Sequence, residues 1–328
     1  MSTLIVRKVA SRLAAVLLGL LMSCGMAAAQ KFPSRTITIN LPFAAGGGVD
    51  IAVRKFADVV SKNTGQPVVI ANRPGGGGIV AASATLSSQP DGYTLYLATP
   101  ATHASMQAMQ TMPFDPLRDF KAVSLLFYFQ NILTISEKIA PTTIQELIQY
   151  GRAKDGRLIY GSPGHGSPAH ILAAMFASAV SLEGVHVPFR NGPEMNMSLV
   201  RGDIEFGFGT YQGMQAFWRA GQVKMVATVG TSRAKVFPNT PTFIELSYPE
   251  LDLLSWYGLV APARTPDSVI QVLVEEFTKA SKTQEVRDLL ELSAFEGVPE
   301  GPDAFAALMA RDTARYNKII PALGLTNK

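Results

Sequence analysis

TITINLPFAAGGGVDIAVRKFADVVSKNTG, residues 36–65, holds the pattern on which the fold turns. "TITINLPF" (36–43) alternates β-branched and polar residues and reads as a strand. "VDIAVRKFADVVSKNT" (49–64) spaces its apolar residues for one face of a helix, and Gly65 stands where a helix stops. Between them lie three consecutive glycines, Gly46, Gly47 and Gly48. Glycine is the costliest residue to order, so three together imply that something approaches the backbone more closely than a Cβ allows.

The unit recurs. "PVVIANRP" (67–74) reads as a second strand, followed by "GGGGIVAASATLSS" (75–88), and "YTLYLAT" (93–99) as a third strand. "RLIYGSPGHGSPAHILAAMFASAV" (157–180) again runs strand, glycine-rich turn, helix. Alternation of this kind predicts α/β layers with a largely parallel sheet. "TIQELIQYGRAK" (143–154) reads as a helix capped by Thr142 or Thr143, and "IEFGFGT" (204–210) and "VKMVATVG" (223–230) as strands. "TPDSVIQVLVEEFTKASK" (265–282) reads as a helix with a threonine cap and proline at its first position. Two apolar runs, 122–136 and 253–263, are placed to carry the chain between domains.

The first 29 residues read as a secretory signal peptide. Arg7, Lys8 and Arg12 precede the apolar "LAAVLLGLL" (13–21), and "AAA" ends at Ala29. Two other readings stand beside it: a membrane anchor, if "SCGMAAA" joins the apolar run, and a lipoprotein box with Cys24 as the lipidated residue. Cys24 is the sole cysteine, so cleavage after Ala29 leaves no disulfide, zinc-thiolate or thiol chemistry. The chain has 29 Lys and Arg, three of them in residues 1–29, which leaves 26 against 25 Asp and Glu. A balance so near neutral gives no general pull on nucleic acid or anionic membrane, and any anion specificity must be local.

The glycine stretches at 45–50, 74–79 and 161–170 supply a local source. Each presents backbone N–H groups at a helix start, where unpaired donors and the helix dipole favour an anion. The bland alternative for any one of them is a tight strand-to-helix turn. Nucleotide readings fail on detail, since no Gly-Lys-Ser/Thr and no G-x-G-x-x-G follows these strands. Asp50 has three possible uses: capping its helix, fixing the loop by accepting its N–H groups, or acting as a base.

His103, His165, His170 and His186 show no metal-ligand spacing, so neither metal nor cofactor is expected. Ser167 reads as a helix cap with Pro168 behind it. His170 reads first as a structural hydrogen bonder, and an enzyme using Ser167 and His170 lacks an acidic orienter. Phe127, Tyr128 and Phe129, with Phe206, Phe208, Tyr211, Trp256 and Tyr257, read as core or crevice wall.

Taken together, "FPSRTITINLPFAAGGGVDIAVRKFADVVSKNTGQPVVIANRPGGGGIV", "YGSPGHGSPAHI", "VHVPFRNGPEMNMSLVRGDIEFGF" and "VKMVATVGTSRAKVFPNTPTFIELSYPELDLLSWYGLVAPARTP" resemble the substrate-binding proteins of tripartite tricarboxylate transporters, the Bug family. The resemblance covers essentially the whole chain after the leader. It implies a periplasmic, non-enzymatic, type II-like binding protein of two α/β domains, with two crossing strands as hinge and a ligand cleft between them. The expected division is 30–128 plus 253–328 for one domain and 129–252 for the other.

The family's ligand is a small carboxylate. It is held by the loop matching Phe43, Ala44, Ala45, Gly46, Gly47, Gly48 and Asp50. The loop matching Ser162, Gly164, His165, Gly166, Ser167 and His170 faces it, and Tyr211 is added as a cleft aromatic. An aromatic carboxylate and an aliphatic di- or tricarboxylate both remain open. The implied partners are that ligand and membrane permease subunits, for a protein acting as a monomer. A sensor presenting its ligand to a receptor kinase is the rival use. Three departures bear on the cleft: Ala44 where proline is common, Gly209 where many members have aspartate, and Phe189 where tyrosine is usual.

Overall fold

The computed structural model describes residues 32–297 and 301–326. The leader read at 1–29, Cys24 included, lies outside them. No helix among the described residues is long and apolar enough to cross a membrane.

Two mixed sheets carry the fold. The first contains β1 (Ile37–Leu41), β2 (Val68–Asn72), β3 (Thr94–Ala98), β4 (Phe120–Phe129), β10 (Ser255–Pro262) and β11 (Phe295–Gly297), in the order β11-β4-β10-β3-β1-β2. The second contains β5 (Ile132–Ser136), β6 (Arg157–Ser162), β7 (Glu183–Pro188), β8 (Phe206–Gly209) and β9 (Val223–Thr228), in the order β7-β6-β8-β5-β9. β1 pairs in parallel with β2 and β3, and β6 with β7 and β8. β10 runs antiparallel to β3 and β4, as does β11 to β4, and β5 runs antiparallel to β8 and β9. The expectation of largely parallel sheets therefore fails. Strands that carry the chain from sheet to sheet enter their new sheet against its direction, which no local pattern records.

The apolar run 122–136 divides at Gln130 and Asn131 into β4 of one sheet and β5 of the other. The return passes from β9 to β10. Both passages are tied together: Asn131 Nδ2 donates to Ser255 Oγ at 2.8 Å, and the Asn131 carbonyl accepts from the Val229 amide at 2.9 Å.

Helices cover both sheets. α1 (Gly48–Thr64) buries Ala52, Val53, Phe56, Ala57, Val59 and Val60, and stops at Gly65, whose φ of 69° accommodates the left-handed cap. α4 (Ile144–Ala153) is capped by Thr143, which accepts from the Glu146 amide, while Glu146 Oε2 accepts from the Thr142 amide and hydroxyl. α8 (Asp267–Ser281) departs from expectation. Pro266 occupies its cap position and the buried Thr265 hydroxyl has no partner, so threonine does not cap it.

The last helix, α10 (Pro302–Ala322), spans both cores. Phe305, Leu308 and Met309 pack with Trp256, Val260 and Leu125 beside the first sheet. Tyr316 and Ile320 pack with Leu133, Phe176 and Phe206 beside the second. One rigid element thus joins the two sheets in addition to the two strand passages.

The contact of α10 with the first sheet depends on Gly258 in β10. A Cβ there would stand 2.3 Å from Phe305 Cζ, and Phe305 is fully buried. Gly258→Ala is expected to destabilise the protein by about 1–3 kcal/mol through overpacking. Urea unfolding measures it, and Phe305→Leu in the same chain recovers part of the loss.

Candidate functional site

The glycine loops sit at strand ends that open onto helix starts, and the structure gives each a different use. At the first, Gly46 has φ 86°, a left-handed turn natural to glycine. Gly47 is the N-cap of α1 without any side-chain cap, and a Cβ on Gly46 or Gly47 would meet nothing within 4 Å. The backbone at Gly46 and Gly47, just before the first turn of α1, is therefore exposed and free of side-chain cover. Ala44 and Ala45 are exposed beside them, and Phe43 packs edge-on to Tyr257 at 5.5 Å.

Asp50 braces this loop. Its Oδ2 accepts from the Gly46 amide at 2.9 Å and from Arg54 Nε at 3.0 Å, and its Oδ1 accepts from Asn72 Nδ2 at 2.9 Å. Asn72 Nδ2 also donates to the Phe43 carbonyl at 3.0 Å, and Arg54 Nη2 to Asn72 Oδ1 at 2.9 Å. Both ends of the loop are held by one network. Burial raises the Asp50 pKa, but the bonds from Arg54, Gly46 and Asn72 outweigh it and hold the carboxyl below its usual range. Of the three uses open in the sequence, fixing the loop is the one observed.

Gly48 is glycine for another reason. A Cβ there would lie 2.9 Å from Cγ of Gln212, in the first turn of α7 (Tyr211–Arg219) beside the second sheet. Gln212 also donates through Nε2 to the Ser293 carbonyl, beyond the end of α9 (Gln284–Leu292). One side chain thus reaches from the second sheet's helices to two points of the first sheet's layer.

The second loop is used for packing. A Cβ on Gly78 would come within 2.6 Å of Thr102 and 2.8 Å of the Tyr96 hydroxyl, and one on Gly77 within 2.9 Å of Met106 Sδ. Met106 begins the short helix α3 (Met106–Met109). It also reaches the third loop, where a Cβ on Gly166 would lie 3.3 Å from Met106 Cγ and 3.0 Å from Met109 Sδ. Ser105 Oγ donates to the Gly166 carbonyl at 2.7 Å.

The third loop leads into α5 (Pro168–Ala179). Ser167 caps it, accepting from the His170 amide at 3.2 Å with Pro168 at the first position, as the sequence predicts. Ser167 Oγ donates to the Gly164 carbonyl at 2.8 Å, so its proton points away from any imidazole and the hydrolase reading gains nothing. Ser162, fully buried, accepts from the Gly164 amide at 3.2 Å. His170 Nδ1 accepts from the Gly166 amide at 3.2 Å.

Sequence reasoning missed His186. It arrives on β7, its Nε2 2.7 Å from Ser162 Oγ, and its ring stacks on His170 at 4.0 Å and on Tyr160 at 5.1 Å. His165, exposed, stands edge-on to His170 and to His186, at 5.0 Å from each. The nitrogens of His165, His170 and His186 lie within 4.8 Å of one another, a cluster that linear spacing does not reveal. As a metal cage the residues fit poorly. The rings of His170 and His186 are 20° from parallel and stacked, so no point near them lies in both ring planes, and His170 Nδ1 is committed to a backbone amide.

Burial, followed by neighbouring histidines, lowers the pKa of His170 to about 3 and of His186 to about 4. Tyr211 opens α7, next to Gln212. It is buried against Phe237 at 5.2 Å, and its hydroxyl accepts from Arg219 at 3.3 Å. Gln212, Met106, Asn72 and Ser105 join His186 as residues with no local signal. Arg54 had one: it stands four residues after Asp50 on the same helix.

Among known proteins, a profile described as "Tripartite tricarboxylate transporter family receptor" matches residues 52–325. The chain is 31% identical to a Cupriavidus necator protein described as "UPF0065 protein in gbd 5'region", over 94% of this chain and 93% of that one. It resembles an R. palustris protein solved with adipate, with a TM-score of 0.84 and 27% identity, covering 89% of this chain and 98% of that one. It also resembles MatC of Rhodopseudomonas palustris, solved with bound malate, with a TM-score of 0.81 and 27% identity, covering 88% and 100%.

Acid should loosen this protein through its buried imidazoles. Burial also holds His103 near pKa 3, against an ordinary value of 6.5. A depressed folded pKa means that the unfolded chain takes up more protons, so stability present above pH 6.5 is lost as pH falls toward 4 and 3. Thermal melts between pH 7.5 and 4.5 are expected to show a falling Tm, with a shallower slope in His103→Phe.

Proposed function

The chain belongs to the tripartite tricarboxylate transporter receptor family, and from that premise we propose that it is a periplasmic solute-binding protein that captures a small carboxylate and delivers it to a membrane permease. One observation carries the reading: the backbone at Gly46 and Gly47, at the entry to α1, is open to solvent, while Asp50 fixes the loop through the Gly46 amide. Such a helix start grips a carboxylate through main-chain donors, without a buried lysine or arginine. The adipate and malate found with the R. palustris relatives support this ligand class.

The leader at 1–29 accounts for export. Residues 30–128 with 253–328, and 129–252, serve as two lobes that close about the passages at Gln130–Asn131 and before Ser255, with the protein acting as a monomer. The loop from Ser162 to His170 closes on the ligand from the second lobe. The family is one of receptors, and no catalytic step is assigned to Ser167 or His170. Deleting the gene should abolish uptake of the ligand; loss of signalling with uptake intact would favour the sensor reading.

Titration calorimetry against aliphatic di- and tricarboxylates and aromatic carboxylates tests the ligand class, and no binding by any of them would overturn it. Gly47→Ala is the sharper probe. The backbone there is extended, with φ −76°, and the new methyl meets open space, so folding is undisturbed. The methyl stands where the carboxylate must come in. Affinity is expected to fall roughly ten-fold with unchanged Tm. Asp50→Ala, by contrast, is expected to lower both, with about 1–3 kcal/mol of stability lost as its buried partners go unpaired.

A further inference from the structure

Gln212 reaches the start of α1 from the second sheet's helices, and its amide is half satisfied. Nε2 donates to the Ser293 carbonyl, which fixes the amide's orientation. Oε1 is buried and has no hydrogen-bond partner. Its Cδ would lie 3.2 Å from a Cβ on Gly48, the first residue of α1, so the unpaired acceptor stands at the mouth of the helix start. A buried carbonyl oxygen without a donor is destabilising.

The surroundings determine what kind of donor suits it. Asp50, the carboxylate of the first loop, has its oxygens committed to Gly46, Arg54 and Asn72. The strand that feeds α7 ends in Gly209 and Thr210, and Thr210 caps the helix by accepting from Gly213. A cargo ammonium would therefore meet a neutral amide, with the Asp50 carboxylate already paired. A hydroxyl needs only the neutral acceptor. Protein atoms cover Oε1 in the Gln212–Gly48 contact, so cargo meets it as that contact opens.

Building on the carboxylate reading, we infer that Gln212 is a specificity-determining residue whose Oε1 accepts a hydrogen bond from a hydroxyl next to the carboxylate held at α1, selecting hydroxy acids over plain diacids and amino acids of equal length.

Calorimetry on the full-length mature protein compares succinate, malate and aspartate, with glutarate, 2-hydroxyglutarate and glutamate one carbon longer. The hydroxy acid of at least one set is expected to bind about ten-fold tighter than its plain counterpart, and the amino acid more weakly than either. Gln212→Met keeps the packing on Gly48 and removes the acceptor; it should bring the affinities for hydroxy and plain acids level. Gln212→Glu should raise affinity for the amino acid relative to the hydroxy acid. Equal binding of hydroxy and plain acids by the wild type, an unchanged ratio in Gln212→Met, or an equal loss for both acids would overturn the inference while leaving the carboxylate reading intact. No binding of any of the six acids or of the wider carboxylate panel would overturn both.

Discussion

The Asp50 carboxylate is the constraint on which the site rests. It joins the Gly46 amide, the Arg54 guanidinium and the Asn72 amide group, and Asn72 in turn holds the Phe43 carbonyl. A loop of small residues has little packing of its own and loses much entropy on ordering. Fixing both of its ends through one buried acid turns that flexible stretch into a fixed set of donors. Arg54 compensates the negative charge of the acid, so the positive field of the α1 start is not cancelled.

The third loop is fixed by different means. There, imidazoles and hydroxyls replace the carboxylate: Ser162 accepts from Gly164, His170 accepts from Gly166, and His186 supports Ser162 while stacking on His170. This neutral scaffold adds no charge to the cleft at ordinary pH, because burial keeps His170 and His186 unprotonated. Met106 lies between the second and third loops and touches both. The glycine stretches thus serve two ends: open donors in one place, and close approach of neighbouring side chains in others.

The two sheets are joined by three connections rather than two. β4–β5 and β9–β10 carry the chain across, and α10 places Phe305 in one core and Tyr316 and Ile320 in the other. A helix cannot stretch, so the proposed hinge closure would have to pivot near the middle of α10 or slide its packing. Gln107 and Thr313, joined at 3.0 Å, mark that region.

Much of this was legible in residues 36–65 and their repeats. Strand alternation, the apolar face of α1, Gly65 as its stop and Ser167-Pro168 as the start of α5 are local effects, set by backbone sterics and capping, which depend on neighbours in the chain. The signals for an anion site were local for the same reason, since a helix start exposes donors wherever it occurs. The mixed pairing of the sheets, the span of α10 and the His165–His170–His186 cluster were not legible. They bring together residues far apart in sequence, such as Gly258 with Phe305 and Ser162 with His186. The use of each glycine was decided the same way. Gly46 answers to its own φ angle, which the turn dictates, but Gly48 and Gly78 answer to Gln212 and Thr102, side chains that only the folded chain places against them.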